Sequence, residues 1–256
     1  MFAPQRRERI LELLRERKEI VVKELAAEFG VSEGTLRADL KLLEDGGKLE
    51  RTHGGAIPAA SPGLGPAGIE SSRSELNRAE KQAIGRAAAG LVSKGQCVML
   101  DASTTALELA KCLVDLDYLT VVTNGLNAAM LLSQNPRINV ILIGGVLRPG
   151  SRTVEGVLGQ GILEDVQADL FFTSSEGFTL EAGMTDFSVY EAELKKRMAS
   201  GVSRVVALLD HTKLGRRSIA VSIRPPAIHT LVTDAAADPA FVKRLERERI
   251  RVMIAE

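Results

Sequence analysis

Apolar positions near the N-terminus recur at helical spacing. Ile10, Leu11, Leu13 and Leu14 form one stripe on a helix opened by Pro4, and Leu25, Ala26 and Phe29 form a second that stops at Gly30. Ser32 suits a helix start, because its side-chain oxygen can accept from a first-turn N–H. Leu36, Leu40 and Leu43 then recur at i, i+4 and i+7 until Gly46 and Gly47. Two short helices joined by a turn containing Gly30, with a third packed behind, predict a helix-turn-helix whose second member enters a DNA major groove. The stretch KLERTHGGA that follows predicts a short basic wing.

All periodicity then stops. Residues 57–72, IPAASPGLGPAGIESS, are Pro, Gly, Ala and Ser in place of any apolar rhythm, and they predict a linker between an N-terminal module (1–56) and a larger domain (73–256). In that domain the pattern alternates. Continuous apolar runs at 97–100, 119–122, 138–143, 169–172, 204–209, 229–233 and 251–255 are interleaved with helical spacing near 75–93, 104–114, 127–134, 156–165, 190–200 and 239–247. Strands that are apolar on both sides must be covered on both faces, so the expected class is α/β, a mostly parallel Rossmann-like sheet with helices on both sides. Such sheets bind ligands at the carboxyl ends of their strands.

Composition narrows the picture. Thirty-three Lys+Arg balance 33 Asp+Glu in 256 residues, so a basic tail is excluded, while 45% hydrophobic content excludes intrinsic disorder. With no apolar run long enough to span a bilayer and no signal-like block at the N-terminus, a cytoplasmic protein with no membrane partner is expected. The absence of Trp, with two Tyr and seven Phe, predicts a core of Leu, Ile, Val and Ala and argues against base stacking. Cys97 and Cys112 lack the spacing of a metal or disulfide framework and read as reduced core thiols, so neither metal nor cofactor is expected.

Two groups of residues carry candidate chemistry. In VSEGTLRADLKLL the leucines point inward, which leaves Glu33, Thr35, Arg37, Ala38 and Lys41 to the groove, with Ser32 opening the helix. Thr35 can meet a base edge, while Arg37, Lys41, Arg51 and His53 can reach guanine or phosphate. Residues 1–56 hold eleven basic and eleven acidic side chains, so it is their arrangement, not net charge, that points to DNA. The second group begins with Asp101, Ser103, Thr104 and Thr105 between a strand and a helix, where hydroxyls and first-turn N–H groups can hold an anion or simply cap the helix. This strand-to-helix turn is neither a GxxxxGK[ST] loop nor a GxGxxG fingerprint, so the usual ATP and dinucleotide sites are not expected there. Asn124, Gly144, Glu176, Asp210 and Lys213 follow other strand ends. Lys81 shares a helical face with Arg73 and Asn77 and could bring a cation.

These residues also carry a family likeness. VSEGTLRADLKLLEDGGKLERTHGGA resembles the DNA-binding signature of the DeoR family of bacterial sugar-metabolism repressors. It departs at Ala38, where a second arginine is usual, and at Gly34, a poor helix former. KQAIGRAAAGL, DASTT, LTVVTN, ILIGG, EAELKKRM, DHTK and LVTD, in that order, resemble the sensor domain of the same family, which is similar in fold to ribose-5-phosphate isomerase, glucosamine-6-phosphate deaminase and CoA transferases. The resemblance implies a phosphorylated sugar as effector, with Asp101 to Thr105 and Lys81 at its phosphate and Asn124, Lys195, Asp210 and Lys213 nearer its hydroxyls. EAELKKR also supports plain Glu–Lys pairs on a solvated helix. At Ser174-Ser175-Glu176 small residues are usual, and Glu176 adds a carboxylate suited to a cationic or strongly hydroxylated sugar, or to water.

The expected function is therefore a non-enzymatic transcriptional regulator. It would repress a sugar catabolic operon, bind a double-stranded operator as a homodimer or homotetramer, and be released by a sugar phosphate. Two-fold assembly would supply contacts that a neutral head lacks. The alternatives are an isomerase, deaminase or acyl transferase using Glu176, Glu191 or Glu193, and a DNA-binding protein whose large domain only oligomerises.

Overall fold

A computed structural model describes residues 3–17, 20–45, 48–51, 55–58, 73–148, 151–156 and 158–256. The chain forms two compact units, Met1–Ser72 and Arg73–Glu256. Among the described residues no helix is long and apolar enough to cross a membrane.

The first unit runs α1 (Ala3–Arg17), β1 (Ile20–Val21), α2 (Val22–Phe29), α3 (Glu33–Asp45), β2 (Leu49–Arg51) and β3 (Gly55–Pro58). Its core is the set of apolar stripes read from the sequence: Ile10, Leu13, Leu14, Leu25, Leu36, Leu40 and Leu43 are all buried. The turn between α2 and α3 closes at Gly30, in the left-handed region at φ 64°, where the N–H groups of Gly30 and Val31 reach back to Ala27 and Ala26. The wing is a three-stranded antiparallel sheet of order β1-β3-β2. Strand β1 is too short to leave a period-2 signal in the sequence. Its neighbour must be glycine at position 55, since a Cβ there would lie 1.7 Å from the Ile20 carbonyl oxygen. Pairing of β3 runs on to Pro58, opposite Leu49.

In the second unit, α4 (Arg78–Ala89) precedes the parallel strands β4 (Cys97–Leu100), β5 (Leu119–Thr123) and β6 (Ile138–Leu142), joined by α5 (Thr104–Leu113) and α6 (Leu126–Leu132). After a small pair, β7 (Val146–Leu147) with β8 (Val154–Glu155), come α7 (Ile162–Asp165) and β9 (Ala168–Thr173). Then follow β10 (Gly177–Thr179), β11 (Gly183–Asp186), α8 (Val189–Ser200), β12 (Val202–Leu208), β13 (Ala220–Ile223), β14 (Ile228–Asp234), α9 (Pro239–Arg247) and β15 (Arg251–Ala255). The seven-stranded sheet has the order β15-β14-β12-β9-β4-β5-β6, every neighbour parallel. One apolar cluster fills the α4, α5 and α6 face around Ile84, Leu109 and Leu132. A second fills the α7, α8 and α9 face around Leu163, Leu194, Met198 and Leu245. From β4 the chain winds outward through β5 and β6, then returns to lay β9 on the other side of β4. The strand order therefore reverses between β4 and β9, the position at which doubly wound sheets take their ligands.

Three expectations need correction. The helix expected over 156–165 shrinks to Ile162–Asp165, because Gly159 packs backbone to backbone on Gly144, a Cβ at 159 falling 2.0 Å from the Gly144 oxygen. The helix expected from 75 is interrupted at Asn77, whose φ is 52°, so that residues 73–75 form a separate helical piece. Cys112 is exposed rather than a core thiol, since it lies on the outer face of α5, while Cys97 is half-buried. The antiparallel sheet β10-β11-β13 gave no sequence signal, because strands of three or four residues are too short to show alternation.

Candidate functional site

In the first unit, α3 presents one polar face. Glu33, Thr35, Arg37, Ala38 and Lys41 are exposed, while Leu36, Leu40 and Leu43 point into the core. Ser32 opens the helix by accepting from the Thr35 N–H at 3.1 Å, and the two hydroxyls lie 2.9 Å apart, so Thr35 is held at the helix entrance. The Arg37 guanidinium rests on Glu33 at 3.2 Å, an exposed i, i+4 pair that a phosphate can readily replace. On the opposite face, buried Asp39 accepts from Arg6 at 2.6 Å and anchors α1 to α3. Of Arg51 only the backbone, in β2, is described, and His53 lies outside the described residues.

In the second unit, the reversal between β4 and β9 concentrates polar side chains. Asp101, at the end of β4 and buried, accepts from the Ser103 N–H at 3.0 Å, the Thr173 hydroxyl at 2.7 Å and the Ser174 N–H at 2.9 Å. It thereby ties the mouth of α5 to the end of β9. Ser103 caps α5 by accepting from the Ala106 N–H at 3.1 Å. Ser103 and Thr104 are half-buried and reach solvent, whereas Thr105 is buried. Asn124, at the end of β5, donates to the Val154 carbonyl at 2.9 Å and leaves its own Oδ1 buried without a partner. Gly144 is exposed, just past β6.

Lys195 does not lie on a solvated helix face. It is 3% exposed, and its ammonium donates to the Ser174 carbonyl and Asp186, each at 2.8 Å, with Glu191 at 2.9 Å and Asp101 at 3.5 Å. Burial works against its charge, but Glu191, Asp186 and Asp101 together push its pKa upward, so it remains an ammonium ion. The Lys195 charge holds Glu191 below the usual carboxylate range in spite of burial. Asp186 goes the other way. Its burial raises it, Lys195 only partly compensates, and its Oδ2 has no partner.

The remaining cations lie at the neighbouring strand ends. Asp210, buried just past β12, accepts from Asn77 at 3.0 Å and from the Thr212 N–H at 3.1 Å. Lys81 is buried with its ammonium on the carbonyls of Arg73 and Leu76, so it pins residues 73–76 to α4; desolvation lowers its pKa and Asp210 partly restores it. Glu176 lies between Arg73, at 2.6 Å, and Lys213, at 3.2 Å. Its carboxylate is thus not spare, as the sequence suggested, but neutralised twice. Desolvation would raise its pKa, yet these two cations hold it below the ordinary value. Among the described residues no group of His, Cys, Asp and Glu is arranged to hold a metal.

Residues 6–61 match the DeoR-like helix-turn-helix domain, and residues 76–235 match the DeoR C-terminal sensor domain. The chain belongs to the DeoR family. Relatives match along the full length. The HTH-type transcriptional regulator GolR of Listeria innocua is 43% identical over 256 residues, 100% of both chains. The HTH-type transcriptional repressor GlcR of Bacillus subtilis is 33% identical over 257 residues, 100% of this chain and 98% of that one. The transcriptional repressor AccR of Agrobacterium fabrum is 31% identical, covering 98% of this chain and 96% of that one. Among solved structures, ribose 5-phosphate isomerase A of Methanocaldococcus jannaschii is similar over 54% of this chain and 55% of that chain, with a TM-score of 0.41 and 17% identity.

Against the DeoR pattern, Ala38 is exposed on the polar face of α3, so the missing second arginine removes a cation from that surface and leaves the helix packing untouched. Sequence reasoning missed Asp186 and Thr173 altogether, and it saw Arg73 only as a helix-face neighbour of Lys81 and Ser174 only as a departure from the family pattern. The i, i+4 spacing of Glu191 and Lys195 was visible, but nothing in a spacing tells a buried pair from a wet one. Arg73 and Glu176 are 103 positions apart, and no local pattern could have joined them.

Proposed function

We propose that this protein represses a sugar operon, binding its operator as a homodimer or homotetramer in the cytoplasm and releasing it when a phosphorylated sugar enters the strand-end crevice of the second unit. The observation that carries this reading is the junction at Asp101. One carboxylate joins the half-exposed hydroxyl mouth of α5 to the ends of β4 and β9, at the reversal of strand order where such sheets take ligands. Ser103, Thr104 and the first turn of α5 suit the phosphoryl end. Asn124 and Asp210 offer acceptors, which suits hydroxyl donors, while Lys195, enclosed by Ser174, Asp186, Glu191 and Asp101, holds the strand ends rather than the ligand. That the relatives GlcR and AccR are transcriptional repressors supports the direction of regulation.

An enzymatic role for the same crevice has less support. A general base at neutral pH needs a carboxylate whose pKa sits near that pH. Glu176 and Glu191 are held low by cations, and Glu193 is an exposed partner of Lys196 and Arg197.

The test measures operator binding by fluorescence anisotropy with the DNA upstream of the coding sequence, alongside thermal shift with a panel of sugars and their phosphates. Arg37→Ala is expected to weaken operator binding roughly five- to 150-fold, on the order of 1–3 kcal/mol for one lost contact, while thermal shifts stay as in wild type. A ligand at 100 times its Kd should add about 2.7 kcal/mol of stability. Equal shifts from phosphorylated and unphosphorylated sugars, or an operator complex indifferent to every phosphate, would refute the effector assignment.

A further inference from the structure

The second unit contains two kinds of ion pair at its strand ends, and they differ in exchangeability. The Lys195 side chain is 4% exposed and those of its partners Asp101 and Asp186 2% each, with Glu191 at 16%, and the lysine is bound to four oxygens. No solute can displace them without unfolding the strand ends. Around Glu176 the side chains are open: Arg73 is 42% exposed, Glu176 28% and Lys213 19%. An ion pair with this much water contact adds little to stability, so its anion can be exchanged for another.

Lys81, the cation expected at the phosphate, is not of this exchangeable kind. It is buried, and its ammonium is spent on two backbone carbonyls. Those bonds hold the backbone of Arg73 and leave its guanidinium as the cation that faces Glu176. Glu176 stands two residues after Ser174, whose N–H lies on Asp101, and the other oxygen of Asp101 takes the Ser103 N–H. The clasp thus starts two residues beyond the β9 end that Asp101 ties to the mouth of α5.

We infer that Glu176 is an internal counter-anion: its carboxylate holds Arg73 and Lys213 in place until the phosphoryl group of an effector displaces it, making Arg73 a ligand-binding residue of the sensor. This rests on the effector reading above. A phosphoryl dianion brings more charge and more acceptor oxygens than a carboxylate, and a guanidinium binds it through two parallel N–H donors. The exchange is therefore favourable, yet Glu176 lowers the affinity for any single anion by competing with it. That competition discriminates against weak monoanions such as free carboxylates. Arg73 is also where the second unit begins, so its change of partner acts on the point where the chain enters the sensor.

The experiment titrates inorganic phosphate, with acetate as the monoanion control, into the full-length wild type, Glu176→Gln, Arg73→Gln, Lys213→Gln and the Arg73→Gln/Glu176→Gln double variant by calorimetry. Melting curves verify that each is folded. Glu176→Gln should bind phosphate on the order of tenfold tighter, Arg73→Gln and Lys213→Gln on the order of tenfold weaker, and the double variant no tighter than Arg73→Gln alone. Phosphate affinity that is unchanged or weaker in folded Glu176→Gln overturns the proposal, as does tightening that persists without Arg73. The two readings fail separately. If sugar phosphates release the operator while Glu176→Gln binds phosphate as wild type does, only the counter-anion falls; if Glu176→Gln tightens phosphate and no sugar phosphate affects the operator, only the effector reading falls.

Discussion

Lys195 and Asp186 illustrate how burial makes one charge indispensable and another a burden. Removing Lys195 would leave Asp101, Asp186 and Glu191 facing one another around a vacated centre, and breaking a buried pair from one side costs about 3–5 kcal/mol. Lys195→Met should therefore lower the Tm by about 10 °C, read by calorimetry, for a unit of this size. Asp186→Asn should do the reverse. Burial raises the Asp186 pKa above its unfolded value, so the folded state binds the proton more tightly. Its contribution is present at low pH and lost as pH rises through the raised pKa. At neutral pH the ionised group is a net cost, and the amide should raise the Tm by a few degrees, with the gain shrinking as pH is lowered to about 4. Glu191, held low by Lys195, behaves oppositely, losing its contribution only as pH falls below the ordinary carboxylate range. A Tm for Asp186→Asn below wild type at neutral pH would contradict this account. None of this was legible from EAELKKR, where the lysine and its glutamate look the same whether wet or dry.

At the scale of elements, the decisive contact is between α4 and α5. A Cβ added to Gly85 would lie 2.8 Å from the backbone of Glu108 and Leu109. Alanine is the better helix former by about 1 kcal/mol, yet the atoms it would meet are backbone and cannot swing aside. Overpacking of this kind costs roughly 1–3 kcal/mol, so Gly85→Ala should shift the urea midpoint downward, and an unchanged or higher midpoint would mean the helices can separate freely. The separation would also move Lys81 relative to the mouth of α5. The long strands and helices were readable because each buries a continuous apolar run or a regular stripe: β4 and α9 begin and end where the pattern puts them. The shortened α7 and the β10-β11-β13 sheet were not, since a Gly144–Gly159 backbone contact and three-residue strands leave no period to detect.

For the whole molecule, charge sets the manner of DNA recognition. The N-terminal residues are electrically neutral, and of their eleven cations only Arg37, Lys41, Lys48 and Arg51 fall in α3 and the wing, the other seven preceding α3 among most of the acids. In the proposed dimer, about six phosphate contacts would make operator affinity fall about a thousandfold between 50 and 200 mM salt. A much steeper loss would require basic surface that this chain does not place there. The sequence by itself determined the two-part organisation, the inward stripes of the helix-turn-helix, the parallel strands and the polar residues at their ends, because periodicity and turn chemistry act over a few neighbouring positions. Only the tertiary structure decided which of those polar residues share a charge, that Lys81 serves the backbone rather than the solvent, that Lys195 is enclosed by three acids and that Glu176 already has two cations. Those pairings join residues up to a hundred or so positions apart, and it is the burial created by packing, not the residue type, that fixes their protonation and their partners.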